Sequence, residues 1–208
     1  MVGNDVVDLL DPDARGETLH PRFDERVFCE RELHMLGRST HSGRLRWRMW
    51  AAKEAAYKAA RKLDGSVIFS PRRFETRGLE LAVMAPATVE HAGRSFALRV
   101  VEQADAVHAV AFSAGERASC CEVQRLDGEC ALRDPDGPSR AVRRLALMAA
   151  RALLQAPEQE LEIRREGRIP RVYRCGAPAP LDLSLSHHGA VVAFVLVATS
   201  EQRQVDAA

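Results

Sequence analysis

Aromatic residues make up only 5% of the 208 positions, and neither sign of charge dominates, since thirty Lys and Arg stand against twenty-nine Asp and Glu. Few stacking side chains and a formal charge of +1 argue against a nucleic-acid groove and against whole-chain attraction to an anionic membrane. Any basic site has to be local. No stretch approaches the roughly 18 to 20 uninterrupted apolar residues of a membrane span. The opening Met1-Val2-Gly3-Asn4-Asp5 has no charged-then-apolar secretory pattern, so a cytoplasmic location is expected. The five cysteines, Cys29, Cys120, Cys121, Cys130 and Cys175, form no CxxC pair and no zinc-like spacing, and are expected to be reduced bystanders. Lysine is scarce beside abundant Arg, Ala and Leu.

The chain reads as two halves, each with a helical run followed by strand-like runs and closing on a similar apolar strand. In the first half the composition predicts a helix over Leu45 to Leu63, stopped by Gly65, and a closing strand over Ala106 to Phe112. In the second it predicts a helix over Ser139 to Gln155, opened by Pro138-Ser139 and stopped by Pro157, and a strand over Gly189 to Val197. Further strands are expected over Leu79 to Val83, Ser95 to Val101 and Glu160 to Ile163. A turn-rich linker is expected between Leu126 and Pro138, and a frayed tail from Glu201 to Ala208.

Three segments carry chemistry. In Gly3-Asn4-Asp5-Val6-Val7-Asp8, acids sit in an apolar strand-like run, and a buried carboxylate needs a cation, a metal, backbone donors or solvent at a strand end. In Trp50-Ala51-Ala52-Lys53-Glu54-Ala55-Ala56-Tyr57-Lys58, helical spacing puts Trp50, Glu54 and Lys58 on one face. That face is either a surface ion pair or a partly buried anion-handling site. Ser184-Leu185-Ser186-His187-His188-Gly189 joins imidazoles to hydroxyls, and Arg164-Arg165-Glu166-Gly167-Arg168-Ile169-Pro170-Arg171 adds local positive charge. Phosphate binding, base chemistry and metal ligation compete there with a solvated hairpin.

Together the three segments resemble the signature of the 4'-phosphopantetheinyl transferase superfamily. Gly3-Asn4-Asp5 is similar to its GxD strand and Trp50 to Lys58 to its W/FxxKExxxK helix, 49 positions separating Asp5 from Glu54. Gly167-Arg168-Ile169-Pro170 and Ser186-His187-His188 approximate the G-K/R-P and SHS elements of the longer members. The halves stand in the reverse of the usual order, as in a circular permutation. Val7 occupies the place of a second metal-facing acid, while Asp8 would face away from Asp5.

The resemblance implies an α+β fold of two pseudo-symmetric lobes, each a helix packed on a small antiparallel sheet. The lobes would span residues 1–118 and 119–208, with the active site in the cleft between them in a monomer. It also implies magnesium held by Asp5 and Glu54, catalysis by Glu54 and Lys58, and coenzyme A contacts from His187, Ser186, Lys53 and Arg168. Glu54, directly or through water, would take the proton of a carrier serine. The partners implied are coenzyme A and an acyl or peptidyl carrier protein whose acidic helix would meet Arg44, Arg46 and Arg48. The rival readings are a degenerate module that binds carrier or coenzyme A without turnover, a magnesium-dependent phosphodiesterase, and zinc binding through His187, His188 and Cys175.

Overall fold

A computed structural model describes residues 1–79, 86–113, 118–127, 134 and 136–199. The first lobe is built on strand β1 (Val2–Asp8), short helices α1 (Phe23–Val27) and α2 (Glu30–Arg38), and the long helix α3 (Ser42–Leu63). Strands β2 (Glu75–Arg77), β3 (Ala87–His91), β4 (Arg94–Glu102) and β5 (Ala106–Phe112) complete an antiparallel sheet of order β1-β5-β4-β3-β2. The second lobe has β6 (Cys120–Arg125), α4 (Gly137–Leu154), β10 (Leu181–His188) and β11 (Val191–Ala198), with the sheet ordered β10-β11-β6. A separate sheet joins β7 (Leu161–Glu166), β8 (Ile169–Arg174) and β9 (Ala177–Pro178).

The lobes share a plan. The antiparallel run β1-β5-β4 lies against α3, and the antiparallel run β6-β11-β10 corresponds to it, with α4 on β10 and β11. Both long helices form close to their expected bounds. Pro138 lies in the first turn of α4, where its missing N–H costs nothing. The helix ends as Gln155 turns left-handed (φ 47°), two residues before Pro157. The two short helices have no counterpart in the sequence reading: five and nine residues are too few for periodicity to register. Of the strand expected over Leu79 to Val83, positions 80–83 lie outside the described residues, as do much of the expected linker, Cys130 and the tail; Leu79 itself lies in a turn.

Small side chains set the distance between α3 and the sheet. Ala51, Ala52, Ala55, Ala56 and Ala59 are fully buried on the helix, and Gly3 lets the strand come into backbone contact with it. A Cβ at Gly3 would lie 2.0 Å from the carbonyl oxygen of Ala55 and 2.7 Å from the Ala59 nitrogen. All seven residues of β1 and of β5 are buried, because α3 covers one face and the second lobe the other. Val2, Val110 and Phe112 pack with Val195 and Val197, and Val6 and Ala106 with Val191 and Ala193. These two clusters are the apolar contact between lobes.

The free edge of β1 is sealed by side chains rather than by another strand. Asp182, Ser184, Ser186 and His188, alternate residues of β10, accept hydrogen bonds from the backbone N–H groups of Val2, Asn4, Val6 and Asp8 at 2.6, 3.0, 3.2 and 3.2 Å. The outward carbonyls of Val2 and Asn4 accept from Lys62 and Lys58 at 2.6 and 2.9 Å. The period of two in a strand makes this possible, since every second side chain of β10 faces the same edge. Unpaired backbone groups buried between two lobes would otherwise carry a desolvation penalty.

Candidate active site

The site lies where β1, α3 and β10 meet. Alternation along β1 turns Gly3, Asp5 and Val7 toward α3, and Asn4, Val6 and Asp8 toward the second lobe. On α3, Glu54 and Lys58 are one turn apart, and the tight Gly3 crossing brings that turn against Asp5. Lys58 Nζ donates to Asp5 Oδ1 at 2.8 Å, to the Asn4 carbonyl at 2.9 Å and to Ser186 Oγ at 3.4 Å. Ser186 Oγ in turn donates to Asp5 Oδ1 at 2.8 Å.

Glu54 is the outlying group. Its carboxyl is raised to about 7 by burial first and by the neighbouring Asp5 charge second, against the pull of Lys58. Among the described residues no hydrogen-bond donor is recorded for it. A half-buried carboxylate beside a second carboxylate, without a donor, is satisfied by a proton or by a cation. Among the described residues no cluster of three His, Cys, Asp or Glu side chains is placed to hold a metal. Two carboxylates suit magnesium, which takes one or two protein oxygens and fills its octahedron with water and phosphate oxygens. His187, His188 and Cys175 are not gathered into the zinc site that the sequence left open.

His187 is exposed at the end of β10, and its imidazole is held below the ordinary histidine value by desolvation first and the Lys58 cation second, against Asp5. Neutral at physiological pH, it offers a ring N–H beside the site. Its neighbour His188 faces β1 and accepts from Asp8 N–H.

Two expected coenzyme A contacts are corrected. Lys53 is fully buried, and its ammonium is taken up by Glu32 Oε2 at 2.8 Å and by the carbonyls of Phe74 and Pro71 at 2.5 and 3.0 Å. Glu32 also accepts from the N–H of Cys29 and from the N–H and hydroxyl of Thr76. These bonds and Lys53 hold it below the usual carboxylate range although burial pushes the other way. Lys53 therefore anchors α2 and the β2 region to α3. Ser186, 6% exposed, has its proton on Asp5 and its oxygen against Val6 N–H and Lys58, which leaves no hydroxyl for a phosphate. Arg168 is exposed in the β7–β8 turn.

Asp8 carries an unforeseen task. Burial works to raise its carboxyl, but Arg125 and the N–H groups of Leu10 and Ala190 outweigh this and lower it. Arg125 of β6 reaches both its oxygens, at 2.7 and 3.0 Å. The Ala190 N–H comes from the β10–β11 turn at 3.0 Å, and Gly189 (φ 52°) makes room, since a Cβ there would lie 2.7 Å from Asp8 Oδ2. The pairing locks the lobes together beside the site. No local pattern in the sequence links positions 8 and 125.

The family model described as the 4'-phosphopantetheinyl transferase superfamily matches residues 1–115, the part of the chain that carries Asp5, Glu54 and Lys58. The chain belongs to that superfamily. Among solved structures, the Thermotoga maritima holo-[acyl-carrier-protein] synthase (AcpS) is 15% identical, with 85% of this chain and 83% of that one covered at a TM-score of 0.33. That likeness is too loose to inform the site. No curated protein matches the chain. Membership makes the protein a transferase of the phosphopantetheine class, and no helix among the described residues is long and apolar enough to cross a membrane.

Proposed function

We propose that this transferase moves the 4'-phosphopantetheine group of coenzyme A to a serine of an acyl or peptidyl carrier protein, with magnesium, releasing adenosine 3',5'-bisphosphate. The observation that carries the reading is the pairing of Asp5 with a donor-free Glu54 raised to about 7, under Lys58 and at the seam of two lobes. Asp5 and Glu54 would hold the ion, whose contribution when bound is to offset the charge of the pyrophosphate.

The remaining work falls to the chain's own side chains. The carrier serine oxygen attacks the phosphorus that bears pantetheine; the bond from that phosphorus to the bridging oxygen breaks, and the electron pair leaves on the adenosine bisphosphate. Glu54 is assigned the serine proton, which it would take directly or through water. Lys58 orients Asp5 through its 2.8 Å bond to Oδ1. Its longest bond, 3.4 Å to Ser186, is the one it can surrender to turn an N–H toward the leaving phosphate. His187 would donate its ring N–H to a phosphate of coenzyme A from the other lobe, with Arg168 as a more distant cation.

A division of the chain into lobes 1–118 and 119–208 would put both sides of the active-site cleft in one chain, which supports action as a monomer. For the carrier, Arg46 is set aside, because its Nε and Nη2 are held by the two oxygens of Asp24 at 2.7 and 2.8 Å. Arg44 and Arg48, both ion-paired with Glu102, line instead an open groove with His34, Met35 and Arg38. Ten residues separate Arg44 from Glu54, about 15 Å along the helix. An acidic carrier helix seated in that groove would lie near enough to present its serine at the site.

Intact-mass spectrometry of apo acyl and peptidyl carrier proteins incubated with the protein, coenzyme A and magnesium tests the reading. A gain of one phosphopantetheinyl group, absent with Glu54→Ala, is the expected result. Coenzyme A binding without any gain on either carrier class would overturn it in favour of a binding module.

A further inference from the structure

We infer that Ser186 is a positioning residue for the ion-binding carboxylate, so that the second lobe aims Asp5 as well as sealing its strand. The inference rests on the assignment of Asp5 and Glu54 made above.

The four β10 rungs are not equivalent. Ser184, 3% exposed, accepts from Asn4 N–H at 3.0 Å and has no bond to Asp5. Ser186 does the same one step along, accepting from Val6 N–H at 3.2 Å, but its proton goes to Asp5 Oδ1 at 2.8 Å. Lys58 binds that same oxygen at 2.8 Å and Ser186 Oγ at 3.4 Å. Asp5, Lys58 and Ser186 therefore form a closed triangle, tied to the backbone at Val6 N–H and the Asn4 carbonyl. Both donors converge on Oδ1. This fixes the side-chain torsions of Asp5 and leaves Oδ2 with no recorded protein donor among the described residues, available to an ion shared with Glu54. A carboxylate held by two donors on one oxygen cannot swing away when the other is unliganded, which is what preorganisation of a binding site requires. The serine in question belongs to the segment the sequence suggested for coenzyme A, and its hydroxyl has no valence left for that task.

The test compares Ser186→Ala, Ser186→Thr and Ser184→Ala in the full chain. Mn2+ serves as a paramagnetic probe, its free concentration read by electron paramagnetic resonance with and without coenzyme A, and urea midpoints are recorded in parallel. Each alanine variant removes one backbone rung, so similar drops in midpoint are expected from both. Only Ser186→Ala should weaken Mn2+ binding, by about tenfold, with kcat falling while KM for the carrier stays within twofold. Ser186→Thr should restore both. Mn2+ affinity unchanged in Ser186→Ala, or weakened equally in Ser184→Ala, would overturn the inference, as would a native chain that binds no Mn2+ under either condition. A native chain that binds Mn2+ but modifies no carrier would count against the transferase reading alone.

Discussion

Replacing Gly3 by alanine places a methyl carbon 2.0 Å from the carbonyl oxygen of Ala55, 2.7 Å from the Ala59 nitrogen and 3.0 Å from Lys58 Cβ. Non-bonded atoms need roughly 3.5 Å, so α3 and β1 would have to part by about 1.5 Å. The two nearest obstacles are backbone atoms in the middle of a 22-residue helix, and no rotamer change relieves them. Overpacking of this kind costs about 1–3 kcal/mol where side chains can adjust, and the upper end is expected here. With a urea slope of about 2 kcal/mol per molar, the midpoint should fall by about 1–1.5 M. The same displacement would draw Glu54 and Lys58 away from Asp5, and a misplacement on the order of 1 Å lowers turnover by about a hundredfold. Gly43→Ala, at the start of the same helix with nothing within 4 Å of its added methyl, is the control and should be neutral or gain up to about 1 kcal/mol. Urea denaturation and carrier-modification rates read both effects. A Gly3→Ala variant with native midpoint and native rate would refute the close-approach explanation of this glycine.

Lys53→Met leaves Glu32 buried without its counter-ion, so a loss of about 3–5 kcal/mol is expected by urea denaturation; the Lys53→Met/Glu32→Gln pair should recover part of it. Glu54→Gln should abolish transfer yet stabilise the metal-free fold at pH 8 by about 1–3 kcal/mol, because a carboxyl raised from its ordinary 4.5 to about 7 costs stability progressively as pH climbs through that window. The gain should shrink at pH 5, and thermal melts in chelator at the two pH values check it. His108, 3% exposed, has its imidazole pushed down to about 4 chiefly by burial, so the unfolded chain binds a proton that the native chain refuses between about pH 6.5 and 4. Stability should fall by about 2 kcal/mol between pH 6.5 and 5 for that reason, and His108→Gln should flatten that part of the urea-midpoint profile.

The elements legible in the sequence are those whose signal is local. Alanine-rich α3 and proline-bounded α4 follow from composition and ends, and the closing strands follow from near-continuous apolar runs, broken in β5 by His108 alone, since β5 and β11 are buried on both faces and have no reason to alternate. The facing of Asp5 and Asp8 follows from the strand period alone. The invisible parts depend on pairing across distance. Ser186 looked like a ligand for a phosphate because a hydroxyl beside histidines suits an anion, but the free edge of β1, 180 residues earlier, claims it first. Arg125 looked like any other arginine until β6 took its place beside β11 and carried the guanidinium to Asp8.

The chain's three lysines, 53, 58 and 62, all lie on α3, and their angular positions explain why one sequence run serves three tasks. Glu54, Lys58 and Lys62 follow at steps of four, each turned by about 40° from the last, so all three face the seam between lobes. Lys58 takes Asp5 there, and Lys62 takes Asp182 at 2.6 Å together with the carbonyls of Val2 and Leu183. Lys53 stands about 140° away from Lys58 around the axis, on the side that packs against α2, where Glu32 is its direct ion-pair partner. The family resemblance implied Lys53 as a coenzyme A contact, yet on the helix it is turned about 100° from its neighbour Glu54. The same rotation that turns Lys53 away from Asp5 gives the long helix a buried ionic anchor on one side and the proposed site on the other.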